Sequence, residues 1–201
     1  MGRTKTYDRD DVTDRAMLLF WERGYHAAST RDLAEAMGVN SYSLYAEFGS
    51  KERLYEEAML RYDERIVTKH FGAMETPDAS LEQVVAVLDY FGGGEEVTAS
   101  TLGCLACNAA VELAPTAEVS KESTDRYLQR VVNSFRNALQ NALNRGQLVA
   151  GTPVDELAAF LAVTVTGMLV LIRAGSDPSL LRASRSQATG RLREFTHRAH
   201  D

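Results

Sequence analysis

Two cysteines lie three positions apart near the middle of the chain, a spacing that can serve metal binding or thiol chemistry. Cys104 and Cys107 are the only cysteines. On a helix, residues three apart share a face, so the two sulfurs would lie near each other. A structural zinc site needs four ligands, and the sequence offers neither a second cysteine pair nor a nearby histidine. Burial as small hydrophobic side chains is the leading interpretation, and a thiol that senses oxidants or electrophiles is the alternative.

The other titratable side chains form no arrangement typical of a catalytic or metal site. The four histidines are scattered, at His26, His70, His197 and His200. The acid pairs Glu56-Glu57 and Glu95-Glu96 are typical of exposed faces, and no Ser-His-Asp or Cys-His order is evident. The glycine run 92–94 follows no predicted strand and precedes two glutamates, which would repel a phosphate. We therefore expect no cofactor, no metal and no enzyme, with a small helical hydrolase or thiol-dependent oxidoreductase as the alternative.

Residues 29–51 are the most informative segment, because they predict two short helices joined by a glycine turn. Ser29 and Thr30 are residue types that begin helices. Leu33, Ala36 and Met37 then recur at helical spacing as an apolar stripe. Gly38 stands where the first helix must end in a left-handed conformation, which costs glycine little.

The second short helix has one apolar face and one polar face. Asn40 or Ser41 is expected to cap it. The apolar face consists of Leu44, Tyr45 and Phe48. The side chains left to face outward are Ser41, Tyr42, Ser43 and Glu47. Such a helix pair, held from behind, is the helix-turn-helix layout that enters the major groove of DNA.

This segment resembles the DNA-binding domain of TetR-family transcriptional repressors. The resemblance covers about residues 9–62 and includes Gly24-Tyr25 and the run Leu44-Tyr45-x-x-Phe48-x-x-Lys51-Glu52. It implies phosphate contacts by Thr30, Arg31, Tyr45 and Lys51. It implies base or groove-facing contacts by Ser41, Tyr42, Ser43 and Glu47. The family more often has a non-acidic residue at the position of Glu47, where a carboxylate would repel phosphate but could accept a hydrogen bond from cytosine N4.

Composition is that of a globular protein, and the charge is not that of a typical nucleic-acid binder. The formal net charge is −6, and the first 53 residues hold nine acidic against eight basic side chains. If the chain binds DNA, its few basic side chains must therefore be placed where they can contact phosphates, because the segment has no overall excess of positive charge. No signal peptide is evident, and the apolar run 157–172 is shorter than the roughly 20 residues that span a membrane. We expect a cytoplasmic protein.

The periodicity predicts an all-α fold with an N-terminal three-helix DNA-binding domain (residues 1–50) and a C-terminal helical domain (residues 51–201). Ser80 with Gln83 forms a capping box before one helix. A long helix is expected from about residue 117 to 145, with Tyr127, Val131, Ser134, Ala138 and Ala142 on one stripe. Thr152-Pro153 and Asp177-Pro178 each introduce one of the last two helices.

The last two helices carry a prediction about assembly. Residues 157–172 are apolar on nearly all sides, so this helix must be covered all round. An internal core is one way to cover it. The TetR resemblance implies another, in which the last two helices of two chains form a four-helix bundle, and a homodimer of this kind suits a palindromic operator.

The resemblance further implies a small-molecule effector that releases the repressor from its operator. The expected lining suits a largely apolar ligand, with Asn108 and Tyr127 as its polar groups. The candidate lining residues are Cys107, Asn108, Val111, Tyr127, Val131, Phe135, Phe160 and Met168. The alternatives are that these residues close on one another, that a cysteine senses the signal, and that the chain is an adaptor that does not bind DNA.

Overall fold

The computed structural model describes residues 7–93, 101–113 and 118–196, and these ranges are predominantly helical. The N-terminal helices are α1 (Arg9–Arg23), α2 (Thr30–Met37), α3 (Ser41–Phe48) and α4 (Lys51–Tyr62). They are followed by a π-helical turn (Asp63–Val67), α5 (Thr68–Phe71), a 3-10 turn (Gly72–Met74) and α6 (Leu81–Phe91). The remaining helices are α7 (Leu105–Leu113), α8 (Glu118–Asn144), α9 (Val154–Arg173) and α10 (Pro178–Arg193). The all-α prediction is confirmed.

The chain divides into two compact units, and the first is larger than the predicted DNA-binding domain. This unit comprises Met1–Ile66 and Leu105–Asp125, so it includes α4 and α7 as well as α1–α3. The predicted boundary after residue 50 differs from this division because α4 packs on α1 through the buried side chains of Leu54, Tyr55 and Ala58. The second unit comprises Val67–Cys104 and Arg126–Asp201.

The core of the first unit is apolar, and an ionic cluster joins α1 to α4 beside it. The Phe20 and Tyr55 rings meet edge-to-face at 5.0 Å, an arrangement that aromatic pairs favour. The Asp14 carboxylate accepts from Arg61 Nε at 2.7 Å and from Arg65 at 2.6 Å. Both the Arg61 and Asp14 side chains are largely buried, so this cluster fixes α4 against α1.

In the second unit, the long helix α8 buries the predicted stripe of Tyr127, Val131, Ser134, Ala138 and Ala142. Arg130 of α8 donates two hydrogen bonds to the Glu75 carboxylate, at 2.7 and 2.8 Å. One helical turn further on, Ser134 also donates to Glu75. These bonds hold the segment before α6 against α8.

Helix α9 is longer than the apolar run predicted from the sequence, and its faces differ. It has 20 residues and is long and apolar enough to cross a membrane by length and composition alone, which corrects the sequence-based expectation. It packs against α6 and α10, as a core helix does, and Leu161 and Val165 are fully buried. Val163, however, is 72% exposed, and the side chains of Phe160 and Val170 are also exposed.

Candidate nucleic-acid interface

The first helix of the predicted DNA-binding pair begins with a capping box. The Ser29 hydroxyl accepts from the Asp32 backbone N–H at 3.2 Å, and the Asp32 carboxylate accepts from the Ser29 backbone N–H at 3.1 Å. Hydrogen bonds from Ser29 lower the pKa of the Asp32 carboxyl, and the Arg23 guanidinium 3.2 Å away adds to this effect. The carboxylate therefore stays ionised and keeps the N-terminus of α2 in place.

The turn between α2 and α3 has the predicted left-handed glycine. Gly38 has φ 69° and ψ 28°, and its N–H donates to the Glu35 carbonyl while the Val39 N–H donates to the Ala34 carbonyl. These two bonds form a Schellman motif. Asn40 then begins α3, because its Oδ1 accepts from the Ser43 N–H at 2.7 Å. Of the two capping residues that the sequence allowed, Asn40 is the one used.

Helix α3 is held by its apolar face and presents a tyrosine on the other. Leu44 and Phe48 are buried, whereas Tyr42 is 84% exposed. Ser41 is also exposed, and Ser43 is half-buried. The prediction that Tyr45 belongs to the apolar face is wrong, because this side chain is 48% exposed.

The Glu47 side chain does not face outward as the sequence predicted. It is only 10% exposed, and its carboxylate lies 3.2 Å from Arg9 Nε and 3.4 Å from the Tyr7 hydroxyl. Arg9 also donates to Glu57 at 2.7 Å. The predicted outward orientation of Glu47 is therefore wrong, because Arg9 and Tyr7 hold its carboxylate within the domain. Arg9 was missed by the sequence reasoning because nothing local marks a partner so far away in the chain.

The start of α4 combines a lysine with a tyrosine from the loop between α1 and α2. Lys51 Nζ lies 4.4 Å from the centre of the Tyr25 ring, within the range of a cation–π interaction. The Tyr25 hydroxyl donates to Glu52 at 2.9 Å. Burial, followed by this hydrogen bond, raises the pKa of Tyr25 to about 12, so the phenol stays protonated and continues to donate.

The predicted phosphate-contacting residues lie at two helix N-termini and on α3. Thr30 and Arg31 stand in the first turn of α2, and Lys51 stands in the first turn of α4. Backbone N–H groups at a helix N-terminus attract anions, and cationic side chains add to that attraction. Arg31 is exposed, and the Thr30 hydroxyl lies 3.2 Å from the hydroxyl of Tyr45. Hydroxyls, cations and amides of this kind are the groups that bind DNA phosphates.

The predicted effector-lining residues do not all lie in the protein interior. Val111 is 83% exposed on α7 and Phe160 is 43% exposed on α9, so their assignment to a closed lining is wrong. Cys107 is buried on α7, and Asn108 is half-buried. The buried members in the second unit are Tyr127, Val131, Phe135 and Met168. Cys104 is buried as well, and neither cysteine forms a disulfide.

Comparison with known families identifies the class of protein. A family model described as bacterial regulatory proteins, tetR family, matches residues 12–58. A second model, described as tetracyclin repressor-like, C-terminal domain, matches residues 80–188, more than half of the chain. The chain belongs to the TetR family. It is a DNA-binding transcriptional regulator and not an enzyme.

Two repressors of similar sequence and one similar solved structure belong to the same class of protein. The HTH-type transcriptional repressor ComR of Escherichia coli (strain K12) is 34% identical over 182 residues, which cover 88% of this chain and 84% of ComR. The HTH-type transcriptional repressor DhaR of Mycobacterium sp. (strain GP1) is 27% identical over 86% of this chain and 85% of its own. A cysteine-substituted form of the TetR family regulator CifR, complexed with 26-base-pair operator DNA, is 31% identical with a TM-score of 0.81, covering 92% of this chain and 97% of CifR.

Proposed function

We propose that this TetR-family protein is a cytoplasmic repressor that binds a palindromic operator as a homodimer and is released from it by a small apolar effector. The observation that best supports DNA binding is that α3 has one buried apolar face and one exposed face. Leu44 and Phe48 anchor the helix, while Tyr42 stands free at 84% exposure. A helix fixed from behind with polar groups in front is suited to the major groove.

In this proposal the contacts with DNA divide into positioning and reading. Thr30, Arg31, Tyr45 and Lys51 contact phosphates and hold α3 in register. Ser41, Tyr42 and Ser43 contact base edges or the walls of the groove. Glu47 acts from inside the domain through its ion pair with Arg9 and makes no base contact in this proposal.

A gel-shift titration with purified protein tests DNA binding and excludes the adaptor hypothesis. The protein should shift a palindromic duplex, and the affinity should fall steeply with salt because phosphate contacts release counterions. A salt-independent shift, or none, would leave α3 without its proposed role.

The homodimer is supported by the exposed apolar side chains of the C-terminal helices. Phe160, Val163 and Val170 of α9 and Leu180 of α10 are exposed in the single chain. Exposed apolar side chains are stabilised when a partner removes them from water. A second copy covers them equally on both chains, as two-fold symmetry requires.

The effector is proposed to be largely apolar. Tyr127, Val131, Phe135 and Met168 supply buried apolar surface in the second unit, and Tyr127 adds a hydroxyl. An effector acts only through a difference in its affinity for the DNA-bound and DNA-free states. A screen of hydrophobic aromatic compounds should yield one that lowers operator affinity and raises the melting temperature. If none does both, the effector-release part of the proposal fails.

A thiol signal is the second candidate, since CifR was studied with its cysteines substituted. Burial of Cys104 and Cys107 favours the structural role, because reactive thiols are typically exposed. The deciding comparison is operator release by an electrophile such as N-ethylmaleimide, in the native protein, in Cys104→Ser, in Cys107→Ser and in the double variant. Release that Cys107→Ser or Cys104→Ser abolishes, with DNA binding intact, supports a sensor. Release that persists when both cysteines are replaced by serine, or no release, excludes it.

A further inference from the structure

One carboxylate of α7 binds the backbone of the loop that joins α1 to α2. Glu112 Oε2 accepts from the Tyr25 N–H at 2.9 Å, and Glu112 Oε1 accepts from the His26 N–H at 2.7 Å. Two consecutive backbone N–H groups that point to one side form an anion-binding concavity. Here a side chain from a distant part of the sequence, but from the same compact unit, supplies the anion.

The backbone before this loop is shaped to admit the carboxylate. Gly24 has φ +83°, a conformation that residues with a Cβ rarely adopt. A Cβ at Gly24 would lie 2.5 Å from Glu112 Oε2, which is too close for any real contact. The φ angle therefore favours glycine here, and a Cβ at this position would displace the Glu112 carboxylate from its place.

The same loop leads directly to a proposed DNA contact. Tyr25, whose N–H binds Glu112, has its ring 4.4 Å from Lys51 Nζ and its hydroxyl on Glu52 at 2.9 Å. The Tyr25 ring also meets Tyr55 of α4 edge-to-face at 5.0 Å. A displacement of the Tyr25 backbone must therefore move the ring that supports Lys51 at the N-terminus of α4.

We infer that Glu112 is a positioning residue for DNA binding: by holding the Tyr25 and His26 amides, it fixes the Tyr25 ring and with it the phosphate contact of Lys51. The inference rests on the proposed function and adds to it a dependence of operator affinity on α7. Helix α7 also carries Cys107 and Asn108, so a signal that shifts this helix has a route to the DNA contacts through one carboxylate. Evidence for such a route is an energetic coupling between Glu112 and Lys51 in their effects on operator affinity.

The test is a double-mutant cycle between Glu112→Gln and Lys51→Ala, measured as operator affinity over a range of salt. Glutamine keeps one acceptor but loses the charge and the second acceptor. Glu112→Gln should weaken binding about tenfold, or about 1.4 kcal/mol, and should reduce the salt slope by about one, as loss of one phosphate contact does. In the Lys51→Ala background the same change should have little further effect.

Glu156→Gln is the charge-matched control, because Glu156 is exposed on α9 and this substitution removes the same single negative charge as Glu112→Gln does. Amide hydrogen exchange at Tyr25 and His26 should accelerate in Glu112→Gln and not in the control. Additive effects of Glu112→Gln and Lys51→Ala, or equal affinity of Glu112→Gln and Glu156→Gln, would overturn the inference. Tyr25→Leu, which removes the intervening ring, gives a second cycle with Lys51→Ala should Glu112→Gln fail to fold. Failure of the native protein to bind DNA would instead contradict the proposed function.

Discussion

The hydroxyl groups of Thr30 and Tyr45 lie 3.2 Å apart, which joins the first turn of α2 to the middle of α3. The resemblance to the TetR family assigned both residues to phosphate contacts, and their side chains meet on one surface. A hydrogen bond between the two hydroxyls fixes their orientation before DNA arrives. Less side-chain freedom then remains to be lost on binding.

Lys51→Ala should weaken binding to all DNA sequences by about the same factor and reduce the salt slope by about one, since Lys51 is proposed to contact a phosphate. Lys69→Ala is the matched control, because Lys69 is exposed on α5 and carries the same charge. Fluorescence anisotropy at several salt concentrations measures both quantities. Equal slopes for Lys51→Ala and the native protein would remove Lys51 from the interface.

Tyr42→Ala should change which operator sequence is preferred, because this side chain is exposed on the outer face of α3. Glu47→Gln should instead lower the affinity for preferred and altered sequences alike, since Glu47 is bound to Arg9 and Tyr7 inside the domain. Binding to a panel of single-base operator variants separates the two outcomes. A change in preference in Glu47→Gln would restore the base contact that this structure argues against.

Val163→Glu should yield folded monomers. Val163 is 72% exposed in the single chain, so the introduced carboxylate is tolerated there, whereas a dimer would bury that carboxylate without an opposite charge beside it. Leu169→Glu is a poorer choice, since Leu169 is already buried within the chain and a carboxylate there would unfold it. Val111→Glu, at a site that is 83% exposed on α7, is the control and should remain dimeric. Sedimentation equilibrium with circular dichroism checks mass and fold; a native protein that is monomeric at micromolar concentration would contradict the dimer.

The stability of the second unit should depend on pH through Glu75. A hydrogen bond from Arg130, followed by one from Ser134, lowers the pKa of the Glu75 carboxyl, although partial burial acts in the opposite direction. A carboxyl whose pKa is lower in the folded chain stabilises it above the unfolded value of about 4.3, and this contribution is lost as pH falls through the folded pKa.

Glu75→Gln should therefore reduce the free energy of unfolding by roughly 1–2 kcal/mol at neutral pH. The difference from the native protein should shrink as the pH falls below about 4. Urea unfolding at several pH values measures this difference, with the exposed Glu156→Gln as the control. A difference that does not change with pH would assign the effect to packing rather than to charge.

Local signals in the sequence predicted the helix-turn-helix correctly. The Ser29 cap, Gly38 and Asn40 act within a few residues of themselves, so their types alone indicate the structure that forms. The role of Glu47 was missed because it depends on Arg9, which packing brings close from another helix. Glu112 was missed for the same reason.

The candidate effector lining was harder to predict than the helices that carry it. Helical periodicity identified the buried stripe of α8, including Tyr127 and Val131, because such a stripe repeats along one helix. It did not show that Val111 and Phe160 are exposed, since an apolar side chain on a helix can face its own core, solvent or a partner chain. The sequence pattern is the same for all three.

Selection of DNA by the purified protein from a random pool tests the central claim most directly. The selected sequences should share a palindrome whose half-sites lie about one helical turn, or a multiple of it, apart. Each duplex should bind two protomers with a steep salt dependence. A pool without enrichment, or enriched sequences that Tyr42→Ala and Lys51→Ala bind as tightly as the native protein does, would contradict the assignment of α2, α3 and the start of α4 to operator recognition.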